Sequence, residues 1–121
     1  MNIAFKSTRY EPDQNLIAET TKKLEAFRRF LGKNADSAVI EVELEKAVGN
    51  QKQGDIWRAE INVDHEGERY RVESTKAKLD HAVTTVLRDM ARTLGKVHDK
   101  ENHLFKKGGS AVKSFLRGFK N

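Results

Sequence analysis

Three kinds of side chain in this sequence could take part in chemistry: histidines, closely spaced carboxylates, and basic residues repeated at helical spacing. His65 lies between Asp64 and Glu66, an arrangement that could bind a metal ion or transfer a proton. A hairpin turn with three solvated polar residues is the commoner cause of such a triplet, and we expect it here. The remaining histidines do not have metal-ligand spacing, and the chain has no cysteine that could complete a site.

The carboxylates do not indicate an enzyme either. Glu41, Glu43 and Glu45 alternate with apolar residues, so they lie on the exposed face of a strand, and nothing in the sequence indicates a pocket there. No phosphate-binding motif of the type GxxxxGK[ST] is present. We therefore predict a protein that is not an enzyme, with no metal site, no cofactor and no small-molecule substrate.

The basic residues are the most informative group. Four of them recur at every fourth position, which places them on one ridge of a helix. They are Arg88, Arg92, Lys96 and Lys100. Lys22 and Lys23 lie late in an earlier helical segment. Such residues most often form a solvated helix surface, but the same pattern is suited to a nucleic-acid phosphate backbone.

The net charge of +5 is unevenly distributed along the chain. Leu104 to Asn121 contains basic residues and no acidic one, so residues 1–103 carry equal numbers of the two. We predict one domain over residues 1–103 and a flexible basic tail over residues 104–121. The tail residues expected to contact RNA are Lys106, Lys107, Lys113 and Arg117.

Hydrophobic spacing predicts the element order β-α-β-β-β-α. Apolar residues alternate with polar ones in four short segments, and they have helical spacing over residues 13–31 and again from Thr75 to about Lys100. Each helix has one apolar stripe, so both are expected to pack on one face of a four-stranded sheet. This is an α+β fold like that of double-stranded-RNA-binding domains.

The two faces of the predicted sheet differ in composition. Trp57 and Tyr70 alternate with polar positions, so they are expected to face the core rather than to stack on RNA bases. The opposite face is expected to be open to water and acidic. Its carboxylates are Glu41, Glu43, Glu45 and Glu60. The predicted body is therefore dipolar, with a basic helical side and an acidic sheet side.

The sequence also indicates where the protein is located. Lys6 and Arg9 precede any apolar run, which argues against a secretory signal peptide. No uncharged stretch approaches the roughly 20 residues of a membrane-spanning helix. We expect a soluble, cytoplasmic protein.

In these patterns the chain resembles the ribosome hibernation-promoting factors, also called ribosome-associated inhibitors, over about residues 1–100. The resemblance rests on the element order and on Lys23-Leu24-Glu25 followed by Phe27 late in the first helix. In the second helix, five residues are similar to a pattern of the family, in which an alanine-isoleucine pair is followed by an arginine, an aliphatic residue and a lysine. The residues that match are Ala82, Val83, Arg92, Leu94 and Lys96.

The resemblance implies a specific target. Members of this family bind the small ribosomal subunit and its 16S-type rRNA, and they also bind 70S ribosomes. Their binding site is the decoding channel, where messenger RNA and the A- and P-site tRNAs would lie. They thereby inhibit translation in stationary phase or stress. The positions that match basic residues of the family are Lys23, Arg92, Lys96 and Lys100. Lys22 and Arg88 are inferred from the charge pattern of this chain alone.

The chain departs from the family at a few positions. Thr20 and Ala26 stand where some relatives carry further basic residues, and Asp80 stands where a tyrosine is common. The chain resembles the short members, which lack a ribosome-dimerising C-terminal domain, and we expect a monomer. Two alternatives stay open: a general binder of structured RNA, and a protein whose basic tail forms an amphipathic helix on an anionic membrane surface.

Overall fold

The structure, a computed structural model, describes residues 1–48 and 54–102. The predicted tail lies outside the described residues, and so do the tail contacts proposed for Lys106, Lys107, Lys113 and Arg117. Among the described residues, no helix combines the length and the apolar composition needed to cross a bilayer.

The element order is the predicted one, with one additional break in the first helical segment. The elements are β1 (Asn2–Thr8), α1 (Gln14–Glu25), α2 (Arg28–Leu31), a 3-10 helix (Gly32–Ser37), β2 (Val39–Val48), β3 (Asp55–His65), β4 (Glu68–Lys76) and α3 (Leu79–Asn102). The four strands lie side by side in chain order. β1 is parallel to β2, and the other two pairs are antiparallel. The predicted α+β architecture is confirmed.

The core lies between the sheet and the helices, where the alternation of apolar residues predicted it. Ile40, Val42 and Leu44 of β2 are buried, and so are Ala59, Ile61 and Val63 of β3. Leu24 and Phe27 from the first helical segment belong to the same core cluster. The apolar stripe of α3 completes it, with Ala82, Val83, Val86, Leu87, Met90, Ala91 and Leu94 all buried.

The first helical segment is shorter than predicted. The spacing indicated one helix over residues 13–31, but α1 ends at Glu25 and a turn at Ala26 and Phe27 separates it from α2. The backbone N–H of Phe27 donates to Leu24 O at 2.9 Å, three residues back, which tightens the chain there. This turn allows Phe27, Phe30 and Leu31 all to reach the core. Gly32, with a φ of +71°, then ends α2.

The start of α1 depends on one side chain. Asp13 caps the helix, and its Oδ1 accepts a hydrogen bond of 2.7 Å from the backbone N–H of Leu16. We expect Asp13→Ala to lower the free energy of unfolding by about 1 kcal/mol, because that N–H loses its partner. A urea melt followed by circular dichroism measures the change. Glu11→Ala, an exposed residue just outside the helix, is the control and should change stability by less than about 0.5 kcal/mol.

Candidate RNA-binding surface

α3 presents its basic ridge on the side opposite to its buried stripe. Arg92, Lys96 and Lys100 are exposed, and Arg88 is half-buried. A rise of 1.5 Å per residue separates successive ridge residues by about 6 Å along the helix axis. The four residues thus form the row that the spacing predicted, and three of their side chains are open to a partner.

One acidic residue, Asp89, lies beside this row of basic residues. Asp89 Oδ1 lies 3.7 Å from Arg92 Nη1. The Arg92 side chain is still 53% exposed, and exposed ion pairs of this length contribute about 1 kcal/mol or less. An RNA phosphate can therefore displace Asp89 from Arg92 at little cost.

The first helical segment contributes basic residues of two kinds. Lys22 and Lys23 lie in the last turn of α1, where the helix dipole favours positive charge, and Lys22 is exposed while Lys23 is half-buried. Arg28 is held by hydrogen bonds to Glu25 at 2.8 Å and Asp36 at 2.5 Å, which raise its pKa. Arg28 therefore links α2 to the 3-10 helix, whereas Lys22 is open to a partner.

The outer face of the sheet is less acidic than predicted, because arginines and Lys6 pair with most of its carboxylates. Arg58 Nη2 lies 2.5 Å from Glu60 Oε2 and 3.1 Å from Glu73 Oε2, and Arg71 also contacts Glu60. Glu60 is not open to water as expected, since only 5% of its surface is exposed. The Arg58–Glu73 and Arg71–Glu60 pairs join residues of β3 and β4, which no local pattern in the sequence connects.

The pKa values on this face are lowered by the same contacts. Burial alone would raise the pKa of Glu60, but hydrogen bonds from Asn62 and Arg58 and the charges of Arg58 and Arg71 hold it below its ordinary value. A hydrogen bond from Arg69, with 2.8 Å between Arg69 Nε and Asp64 Oδ1, lowers the pKa of Asp64. Both carboxylates are thus ionised at neutral pH and balanced by their partners.

His65 is not the solvated turn residue that the sequence suggested. Its side chain is 10% exposed, and its Nε2 lies 3.9 Å from Glu66 Oε1. The turn itself is formed by Glu66 and Gly67, both with positive φ, as a two-residue hairpin loop requires. Within residues 1–48 and 54–102, no three His, Asp or Glu side chains are arranged to hold a metal ion.

The structure brings together one group of side chains that the sequence did not connect. The rings of Tyr10 and Trp57 meet edge to face with 4.9 Å between their centroids, and Lys46 Nζ lies 5.6 Å from the centre of the Trp57 ring. Trp57 and Tyr70 face the core side of the sheet as predicted, but each is only partly buried. Strand register places Lys46 beside Trp57, and the segment after β1 brings Tyr10 to the same ring; no local pattern in the sequence reveals either contact.

Comparison with known proteins identifies solved structures with a similar fold. No protein-family model matches the chain, and no curated protein matches it in sequence. Among solved structures, the N-terminal domain of Protein Y from Thermus thermophilus matches with a TM-score of 0.64 and 26% identity, over 78% of this chain and 96% of that one. A ribosomal subunit interface protein from Coxiella burnetii matches with a TM-score of 0.62 and 15% identity, over 80% and 97% of the two chains.

Proposed function

We propose that this chain is a ribosome-binding protein. The premise is that its structural neighbours match the hibernation-promoting factor family, as the sequence predicted. One of the neighbours is described as a ribosomal subunit interface protein, and neither description is that of an enzyme. The match therefore favours a binding role over catalysis, and a cytoplasmic location where ribosomes are found.

One observation carries the residue-level part of the proposal: three residues of the α3 ridge are exposed, while most carboxylates of the outer sheet face are paired with basic side chains. Arg92, Lys96 and Lys100 offer three positive charges on one side of one helix. An RNA backbone is attracted to such a row, and binding releases its condensed counterions. Arg88, Lys22 and Lys23 are proposed to extend the same contact surface.

The finer target follows from the family resemblance. We place the chain in the decoding channel of the small ribosomal subunit, in contact with 16S-type rRNA, where it excludes messenger RNA and tRNA. It would keep ribosomes inactive in stationary phase or stress, as a monomer. Residues 1–103 form the binding domain in this proposal, and the basic residues of the 104–121 tail add RNA contacts.

Sedimentation tests this proposal. In sucrose gradients of a stationary-phase lysate, the protein is expected to travel with small subunits or 70S particles. Messenger RNA together with tRNA should release it from purified small subunits, because they occupy the same channel. If the protein stays at the top of the gradient, it does not bind ribosomes.

Two further outcomes would revise the target. Release by plain duplex RNA at the same concentration would make the protein a general binder of structured RNA. Binding to small subunits that messenger RNA and tRNA leave unchanged would place the site outside the decoding channel.

A further inference from the structure

A second binding site is suggested at one end of the sheet, away from the outward ridge of α3. Strand register places Lys46, Trp57 and Lys76 directly beside one another in β2, β3 and β4. Facing side chains of neighbouring strands lie on the same face, and this row lies on the face that carries the core. It is two residues beyond the row formed by Leu44 and Ala59.

The core ends at this row. Leu44 and Ala59 are fully buried, whereas Trp57 is half-buried and Lys76 is exposed. Trp57 thus packs against the core on one side and meets solvent on the other, and it lies between two lysines. Packing of the core alone does not require an aromatic ring at this position. Aromatic rings in this setting are the surfaces on which unpaired bases stack.

The segment before α1 adds an aromatic and a basic residue to the row. Tyr10 contacts the Trp57 ring edge to face at 4.9 Å between centroids, which fixes the orientation of both rings. Arg9 is exposed and has a φ of +58°, in the left-handed region that residues with a Cβ disfavour. This turn brings Tyr10 onto Trp57 immediately after β1.

We propose that Arg9, Tyr10, Lys46, Trp57 and Lys76, which we call the aromatic platform, bind an unpaired nucleotide. The base stacks on the exposed part of the Trp57 ring, which Tyr10 orients from a nearly perpendicular position, while the lysines and Arg9 contact the flanking phosphates. Charge argues for this ligand, because three of the five platform residues are basic and can contact phosphate groups. Glu45, the nearest acid along β2, lies on the opposite face of the sheet because strand residues alternate.

The platform extends the proposed function from phosphate contacts to base contacts. The choice of RNA over single-stranded DNA rests on the proposed function, whereas the stacking site itself rests on the geometry of the five residues. Duplex RNA does not fit the platform, because its bases are stacked on one another and unavailable.

Trp57 makes the proposal directly measurable, since it is the one tryptophan of the chain. An octamer of uridine titrated into the full chain at low salt is expected to quench tryptophan fluorescence in a saturable way. Raising the salt concentration should weaken this binding, because phosphate contacts contribute to it.

Variants assign the signal to the platform. Lys46→Gln with Lys76→Gln should weaken octamer binding about tenfold, because two phosphate contacts are lost. Lys6→Gln with Lys33→Gln, both exposed and outside the platform, removes the same charge and should leave the affinity unchanged. Tyr10→Leu should reduce the quenching, and circular dichroism checks that each variant is folded.

The outcomes separate this proposal from the preceding one. If saturating octamer does not quench Trp57, or if both double variants lose affinity equally, the platform is not a nucleotide site. Co-sedimentation with small subunits in the absence of quenching would contradict nucleotide binding at the platform and leave the ribosome-binding proposal intact. Quenching without co-sedimentation would support the platform and contradict ribosome binding.

Discussion

Replacing the three exposed residues of the α3 ridge is expected to weaken binding to small ribosomal subunits on the order of a hundredfold. The variant is Arg92→Gln, Lys96→Gln and Lys100→Gln. Each residue is proposed to neutralise a phosphate, and each lost contact removes about one unit from the slope of log affinity against log salt. The slope should therefore fall by about three. Arg88 is left unchanged because it is half-buried and its replacement could disturb packing.

Binding of labelled protein to purified small subunits at several salt concentrations measures both quantities. The matched control replaces Lys6, Lys33 and Lys78 with glutamine, three exposed lysines outside the ridge. It makes the same change in net charge and should weaken binding by less than about threefold. Equal losses in the two triple variants would show that net charge, and not the ridge, attracts the RNA.

Removing the carboxylate of Glu60 is expected to have the largest effect on stability. Glu60→Ala should lower the free energy of unfolding by about 2 kcal/mol, since Arg58 and Arg71 both lose the buried carboxylate that they share. Arg58 and Arg71 would then share Glu73, and Arg58 would keep a long contact with Glu43. Urea denaturation followed by circular dichroism measures the loss.

A matched control is available on the neighbouring strand. Glu43 is directly opposite Glu60 in the β2–β3 register, its side chain is 37% exposed, and its contact with Arg58 Nη1 is long at 3.8 Å. Glu43→Ala should cost less than about 1 kcal/mol. Similar losses in both variants would mean that the burial of Glu60 does not increase its contribution to the free energy of unfolding.

The effect of Glu60 should depend on pH in a definite direction. Its folded-state pKa is lowered, so the stability it supplies is present above the ordinary pKa of a glutamate, about 4.3, and is lost as the pH falls. The difference between wild type and Glu60→Ala should therefore be largest near neutral pH and shrink below about pH 4. A difference that stays constant down to pH 3 would show that the charge of Glu60 is not responsible.

Local patterns in the sequence determined the main architecture and the ridge. Strict alternation of Ile40, Val42 and Leu44 with glutamates identifies a strand with one buried face, because side chains of a strand point alternately to its two faces. The four-residue repeat of the α3 basic residues likewise fixes them on one side of a helix, whatever the helix packs against. Such properties depend on residues close together in the chain, so they can be predicted without the fold.

Tertiary structure decided what depends on residues far apart in the chain. Glu60 is buried because Arg58 and Arg71 cover it, and only the register of β3 with β4 brings Arg71 there. The break after α1 allows Phe30 to reach the core together with Phe27 and Leu31, whereas a continuous helix would turn Phe30 away from it. The aromatic platform, too, exists only in the folded chain, where Tyr10 meets Trp57. Pairing across strands is set by the whole sheet, and hence only the fold could show these contacts.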